Sequence, residues 1–340
     1  MNILSFEDRA RQVSATVPND TLGSVRIDAG NAGKIAEIYS AQAEPSTWTL
    51  LDEARQFVSL AVDLQRDGWS LKSGRYAKRA LARFERESQT DHYEAVLARL
   101  CLADSRFVRG DFDRAEMDYR EPLSSIGRLT ATRESCDVRS VMAHAFRGLA
   151  NVALARGETF EAERQLRQAL DMVDQKAGSA HESRAMLIDD LGTLYRRTGR
   201  YDEAAHMQHL ALTVVEETVG IEHPQAATIL EHLAMLEYAR AQFTVGERFA
   251  REAAAIQERA FGSDHPRVAR ALVVLASMLE GQGKHLAATQ ARQAAQLKAQ
   301  RWFGDDLEAL AASGLSATTQ SDSDGRNEAL AAWRPWVGVI

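Results

Sequence analysis

Glycine recurs at a fixed interval in the second half of the chain. Gly178, Gly220, Gly262 and Gly304 follow one another at steps of 42 residues. A period that is kept three times in succession indicates an array of repeated structural units rather than two unrelated globular domains. Cutting at these glycines gives four blocks that align without a gap, 137–178, 179–220, 221–262 and 263–304.

The aligned blocks share two kinds of position. The first is a leucine followed by a small residue, and the second is a small residue further on. Within one block, Ile188, Leu191, Leu194 and Tyr195 have the spacing of one helix face. Each block is therefore predicted to be a helix, a tight turn and a second helix, with a close helix crossing at the small residues. The two sets are Leu149–Ala150, Leu191–Gly192, Leu233–Ala234 and Leu275–Ala276, then Ala162, Ala204, Gly246 and Ala288.

The junctions between blocks read "VGIEHPQAATILEHLA" at 219–234 and "FGSDHPRVARALVVLA" at 261–276. A glycine there can end a helix in the left-handed conformation, and a His-Pro pair can start the next helix because proline suits the first helical position. The aligned histidines, His181, His223 and His265, are accordingly predicted to be structural and not metal ligands. His206 and His209 are predicted to face solvent on a second helix, and we expect no metal or cofactor.

The phrase "LGTLYRRTGRYDEAAHMQHLAL" at 191–212 resembles the tetratricopeptide repeat (TPR) family, and the 42-residue length with Gly-x-x-His-Pro junctions is most similar to the kinesin-light-chain type. The resemblance implies an all-α fold, a right-handed superhelix (α-solenoid) of antiparallel helix pairs. It also implies that the first helices line a concave groove that holds a peptide or another protein.

The repeat pattern weakens on either side of the four blocks. Residues 1–46 are predicted to be a partly helical N-terminal segment, and residues 47–136 a divergent TPR-like cap in which Pro122 kinks or ends a second helix. Residues 137–304 hold the four repeats, and 305–313 a capping helix. The polar tail 314–340 ends in "ALAAWRPWVGVI". We expect this apolar end to pack back onto the solenoid rather than serve as a motif for another protein, with Trp333 and Trp336 as a latch.

Composition and motifs exclude several classes of function. The net charge of -7 gives no general reason to bind nucleic acid or a membrane. The segment "DAGNAGKI" at 28–35 lacks the residues of a phosphate-binding loop, and no catalytic motif occurs elsewhere. Cys101 and Cys136 are too few for a disulfide framework. The start of the chain does not form a signal peptide, and no run of about 18 apolar residues follows, so a cytoplasmic location is predicted.

Family geometry places a set of charged, polar and apolar side chains on the groove. Arg196 and Arg197 beside Tyr238 are the strongest candidates, since Arg and Tyr contribute heavily at interfaces. The predicted function is a non-catalytic adaptor or regulator. A related hypothesis is a peptide sensor whose superhelix changes shape on binding. An enzyme or accessory protein with a small-molecule pocket between the N-terminal segment and the solenoid is the alternative. The sequence identifies neither the partner nor the oligomeric state. The predicted groove residues are Arg147, Asn151, Asp189, Thr193, Arg196, Arg197, Glu231, Met235, Tyr238, Arg270 and Ser277.

Overall fold

The computed structural model describes residues 49–66, 69–87, 92–129, 138–174 and 181–304, and all the regular secondary structure in these ranges is helical. The predicted elements in 1–46, 305–313 and 314–340 lie outside the described residues. The helices are α1 (Leu50–Arg66), α2 (Ser70–Arg86), α3 (Tyr93–Arg109), α4 (Phe112–Leu129), α5 (Val138–Ala155), α6 (Thr159–Asp174), α7 (His181–Arg197), α8 (Tyr201–Thr218), α9 (Pro224–Ala239), α10 (Phe243–Phe261), α11 (Pro266–Gly281) and α12 (His285–Phe303).

Consecutive helices form antiparallel pairs, with α1, α3, α5, α7, α9 and α11 as first helices and the following helices as second helices. The all-α solenoid of helix pairs predicted from the 42-residue period is confirmed. The predicted divergent cap, 47–136, contains helices α1 to α4. In the described ranges, each helix falls short of the length and apolar character that crossing a bilayer requires.

The two helices of a repeat approach each other closely at the aligned small residues. A methyl group added at Gly246 would lie 3.1 Å from the carbonyl oxygen of Ala234, and one added at Gly192 would lie 3.2 Å from that of Ala204. Both distances are shorter than ordinary van der Waals contact. A larger residue at either site would therefore push the two helices apart, as the leucine-plus-small pattern predicts.

The junctions also agree with the sequence. Pro224 and Pro266 are the first residues of α9 and α11, and the Nδ1 atoms of His223 and His265 accept hydrogen bonds from the backbone N–H groups two residues on, at 3.4 and 3.2 Å. Gly262 has a φ of 86° but a ψ of 162°. The chain therefore leaves α10 extended rather than in the left-handed helical turn we expected, in a region that still favours glycine.

Pro122 does not end its helix, so that part of the prediction is wrong. Helix α4 continues for a further turn and more, to Leu129. Pro122 and its neighbour Tyr119 are both buried, and Tyr119 packs in one apolar cluster with residues of α3 and α5. The burial of α4 between these two helices offsets the lost hydrogen bond of the proline.

The apolar clusters extend from each helix pair into the next, so no pair has a core of its own. A further cluster joins the beginning of the array to its end: Leu64 and Trp69, around the turn between α1 and α2, pack with Ala299 and Phe303 of α12. The Trp69 and Phe303 rings meet edge to face with centroids 4.9 Å apart. The first and the last helix pairs are therefore in contact.

We predict that His265 makes the protein less stable in acid. Its ring lies between Phe261 and Trp302, and burial, helped by Arg267 and Arg270, lowers its pKa from 6.5 to about 3. Below pH 6.5 the unfolded chain takes up a proton that the folded chain refuses. The free energy of unfolding therefore falls as the pH falls towards 3, by about 1.4 kcal/mol per pH unit from this group.

The matched variant is His265→Asn, which keeps a helix-capping side chain without a titrating group. Urea unfolding at pH 7, 5 and 4 should show a smaller loss of stability for the variant than for the native chain. Equal losses would contradict the assignment.

Candidate functional site

The predicted groove residues share one face of the first helices, and the structure buries most of them. Those buried are Arg147, Asn151, Asp189, Thr193, Glu231, Met235 and Arg270. Arg196, Tyr238 and Ser277 are partly buried, and Arg197 is exposed. Most of the polar side chains on this face are therefore shielded from water by the rest of the protein.

A series of buried polar pairs, which we call the polar ladder, joins consecutive first helices. Arg147 of α5 bonds Asp190 of α7, and Asp189 of α7 bonds His232 of α9 with 2.6 Å between Oδ2 and Nδ1. Glu231 of α9 accepts a hydrogen bond of 2.7 Å from Arg270 of α11. Each neighbouring pair of first helices from α5 to α11 is thus linked by one charged contact.

The ladder continues towards the N-terminus through Asp104 of α3. Its carboxylate accepts a hydrogen bond of 2.5 Å from the Tyr119 hydroxyl, lies 3.2 Å from His144 Nε2, and receives the Gln65 amide at 3.4 Å. Asp104 is fully buried. Helices α1, α4 and α5 are therefore all bonded to one carboxylate of α3.

Burial opposes the charged form of the ladder's acids. It raises the pKa of Asp189 against the lowering effect of His232, and it raises the pKa of Glu231 against that of Arg270. Burial also acts to lower the pKa of Arg147, but the charge of Asp190 and the bond to it more than offset that effect, so this pKa is raised. A buried carboxylate here depends on its cationic or imidazole partner.

Several polar atoms on the same face are buried and have no hydrogen-bond partner. We call them the unpaired groove set: Arg147 Nη1, Asn151 Nδ2, Asp189 Oδ1, Thr193 Oγ1, Arg196 Nε and Glu231 Oε1. A buried polar atom without a partner costs about 1–3 kcal/mol, and such atoms are few in folded proteins. A polar ligand lying on this face could bond to these six atoms.

Arg196 and Arg197 differ from Arg147 and Arg270 because no described carboxylate lies within ion-pair distance of either. Burial, together with the like charge of Arg197, lowers the pKa of Arg196 to about 10, although the opposite charge of Asp189 acts to raise it. Arg196 therefore stays cationic at neutral pH without a direct ion-pair partner. Arg197 instead donates a weak hydrogen bond of 3.5 Å to the Leu154 carbonyl oxygen.

Sequence reasoning missed the ladder partners Asp104, Tyr119, Asp190 and His232. A signal was present in the adjacent polar residues Asp189–Asp190 and Glu231–His232. In each of these dipeptides one side chain bonds the preceding first helix and the other bonds the following one. The next position in register is Val274, which cannot pair with Glu231, so Arg270 does so from one turn earlier in α11.

Several residues that we predicted to have a structural role lie in the described ranges. His206 and His209 are exposed, as the solvent-facing interpretation predicts. No group of three His, Cys, Asp or Glu side chains suited to a metal ion occurs among the residues that the structure describes. Cys101 is buried and burial raises its pKa, in agreement with a packing thiol. The segment 28–35, Cys136, Trp333 and Trp336 lie outside the described residues.

The fold and the polar face define an α-solenoid repeat protein built from helix pairs. The tetratricopeptide repeat family profile matches residues 141–217, 184–244 and 225–295. Residues 141–295 are therefore tetratricopeptide repeats, as the resemblance implied. A comparison with curated protein sequences finds no match.

Solved structures are similar to the chain over most of its length. A Rap protein complexed with competence and sporulation factor has a TM-score of 0.60 and 13% identity over 87% of this chain and 80% of that one. The apo form of RapI has a TM-score of 0.56 and 14% identity over 88% and 99%. A putative kinesin light chain with TPR-like repeats from Podosopora anserina has a TM-score of 0.43 and 19% identity over 61% and 96%. At such identities the Rap structures share the fold alone.

We predict that the polar ladder contributes to stability only while both members of each pair are present. Arg270→Met leaves the fully buried Glu231 carboxylate without its hydrogen-bond donor, which typically costs about 3–5 kcal/mol. The double variant Glu231→Leu, Arg270→Met removes both charges and should recover most of that loss. Urea denaturation of the native, two single and double variants gives the coupling energy. Additive losses would show that the two residues do not act as a pair.

Proposed function

We propose that this chain is a non-catalytic TPR adaptor or regulator that binds an extended protein or peptide segment on the face of its first helices. The observation that carries the proposal is the Arg196 guanidinium, which has no described carboxylate within ion-pair distance and whose buried Nε has no hydrogen-bond partner. A ligand carboxylate beside Arg196 would supply a direct ion pair and the missing hydrogen bond. The segment bound is therefore proposed to carry an Asp, a Glu or another carboxylate.

The neighbouring unpaired atoms support an extended ligand. Thr193 is three residues before Arg196 on α7, so the two side chains share a helix face. Asn151 holds on α5 the place that Thr193 holds on α7, one repeat earlier. A hydroxyl and an amide at equivalent places on adjacent helices can bond successive polar groups of a backbone. Tyr238, partly buried against Phe243 with ring centroids 5.4 Å apart, offers an apolar contact in the same series.

The similar Rap structure provides a precedent for a solenoid of this fold in a complex, since that protein is complexed with competence and sporulation factor. At 13% identity the precedent concerns the architecture and not the ligand. The ligand class proposed for this chain therefore depends on Arg196 and on the unpaired groove set. The predicted sites at Met235 and Ser277 remain part of the proposal as flanking contacts.

Arg196→Gln should lose the preference for acidic ligands while the protein stays folded. A random-peptide display library selected on the native protein should yield peptides with Asp or Glu at one fixed position. A charged hydrogen bond is worth about 1.5–3 kcal/mol, so affinity for a selected peptide should fall roughly 10- to 100-fold in the variant. Tyr238→Ala should weaken binding of the same peptide.

The matched control is Arg251→Gln, which removes an exposed arginine of the second helix α10 that pairs with Glu247 of its own helix. This control should bind as the native protein does. Peptides selected without an acidic position, or equal binding by Arg196→Gln, would refute the carboxylate proposal. Affinity capture from native extract with the native protein, Arg196→Gln and Arg251→Gln then identifies the protein that binds the groove.

The proposal includes gating by the C-terminal segment. Docking of Trp333 and Trp336 on the solenoid is proposed to oppose binding of the groove ligand, so that each lowers the other's affinity. The double variant Trp333→Ser, Trp336→Ser should therefore bind a selected peptide more tightly than the native chain, as measured by isothermal titration. Unchanged affinity would rule out the latch.

A further inference from the structure

A cavity of about 540 Å³ lies on the side of α5 that faces away from the groove. Its floor is formed by Leu149, Val152 and Ala153 of α5, and its walls come from the second helices α4 and α6. On the helix, Val152 and Ala153 lie on the opposite side from Arg147 and Asn151, since each residue advances the helix by about 100°. The volume is within the range of about 300–1,000 Å³ that ligand sites occupy.

An exposed aromatic ring stands at the rim of this cavity. Phe160, the second residue of α6, is 82% exposed although it is a large apolar side chain. The corresponding residue three repeats later, Leu286, is 75% exposed and does not line this cavity. Phe160 therefore offers apolar surface to a ligand next to an apolar floor, while Leu286 has the same position in its repeat without the cavity.

The polar groups of the cavity call for a ligand that donates hydrogen bonds and carries positive charge. Gln165 is 7% exposed, its Nε2 donates to Glu161 Oε1 at 2.5 Å, and its Oε1 has no partner. The bond to Glu161 fixes the amide orientation, so the remaining atom is an acceptor. Glu158, also in the cavity wall, has no ion-pair partner among the described residues.

The two arginines of the wall cannot serve Glu158, because each is already bonded to another carboxylate. Arg156 donates to Glu116 and Asp113, both at 2.6 Å, and Arg120 pairs with Glu116 at 2.5 Å. The cavity thus offers a buried, unpaired acceptor at Gln165, an exposed carboxylate at Glu158 without an ion-pair partner, and apolar surface at Phe160 and the floor.

We propose that the chain's own segment 329–340, "ALAAWRPWVGVI", docks in this cavity through Trp333, Arg334 and Trp336. The indole N–H of a tryptophan is a donor without an acceptor function, which matches Gln165 Oε1. The Arg334 guanidinium supplies the charge for Glu158 and can stack on Phe160. The segment contains no acidic side chain that would repel Glu158 or Glu161.

The reach of the chain permits this docking. The 24 residues from 305 to 328 join the end of α12 to the segment; with 305–313 as the predicted capping helix and the remaining residues extended, they can span up to about 60 Å. This inference rests on the proposed gating and names the place where the C-terminal segment would dock. Helix α5 forms the cavity floor on one side and bears Arg147 and Asn151 on the other.

The test uses the full-length protein labelled with 5-fluorotryptophan and followed by fluorine NMR, with no groove ligand present. The signals of Trp333 and Trp336 are assigned with Trp333→Phe and Trp336→Phe, and the buried Trp69 provides an internal reference. In the native chain both signals should differ from those of free indole and should be protected from a soluble paramagnetic quencher. Phe160→Ala should move them to the free positions and increase quenching several-fold.

Leu286→Ala is the matched control, and it should leave both signals unchanged. Glu158→Arg should release the segment, and the charge exchange Glu158→Arg with Arg334→Glu should restore the docked signals, which a general loss of folding cannot do. Free positions in the native chain, or equal effects of Phe160→Ala and Leu286→Ala, would overturn the proposal. Because the measurement involves no groove ligand, its failure would leave the carboxylate proposal at Arg196 standing.

Discussion

The close contact between the two helices of each repeat is the constraint on which the rest of the structure depends. A methyl group added at Gly192 or Gly246 would lie only 3.2 or 3.1 Å from a backbone carbonyl oxygen of the partner helix, and 2.6 or 2.5 Å from a side-chain atom of Gln208 or Met278. A backbone atom cannot move aside as a side chain can, so the crossing point is fixed. Repeating that crossing every 42 residues places the first helices side by side with equivalent positions aligned.

That alignment makes the polar ladder possible. The separations of 43 residues in Arg147–Asp190 and Asp189–His232 are one repeat plus one residue, so both contacts follow from the same helix-to-helix offset. Buried charged pairs contribute little net stability compared with apolar side chains of similar volume. These pairs instead keep neighbouring first helices in register. If one helix shifted along another, Glu231 or Asp189 would be buried without a partner, which would cost several kcal/mol of stability.

The two faces of α5 have different chemistry, and both have unmet bonding capacity. One face bears Arg147 and Asn151 of the unpaired groove set, and the opposite face forms the floor of the cavity beside Phe160 and Gln165. A single helix thus contacts both proposed ligands. Its position next to the divergent pair α3–α4 distinguishes it from α7 and α9, which have regular repeats on both sides.

Much of this architecture could be predicted from the sequence because its signals are local. The period of 42, the small residues at the crossing and the His-Pro starts each act through backbone geometry or the spacing of one helix. The position of Arg196 in the repeat also placed it, by family geometry, on the face of the first helices. Pro122 shows the limit of such signals, since the local rule predicts a kink or an end, and burial of Tyr119 and Pro122 between α3 and α5 keeps the helix going.

The sequence by itself determined that the chain is a TPR array, where its helices begin and which residues share a face. Only the tertiary structure decided which charged side chains pair within the protein and which polar atoms stay buried without a hydrogen-bond partner. It also decided that Trp69 meets Phe303 across more than 200 residues. The reason is that pairing and burial depend on side chains from neighbouring helices, whose separation in space no local pattern encodes.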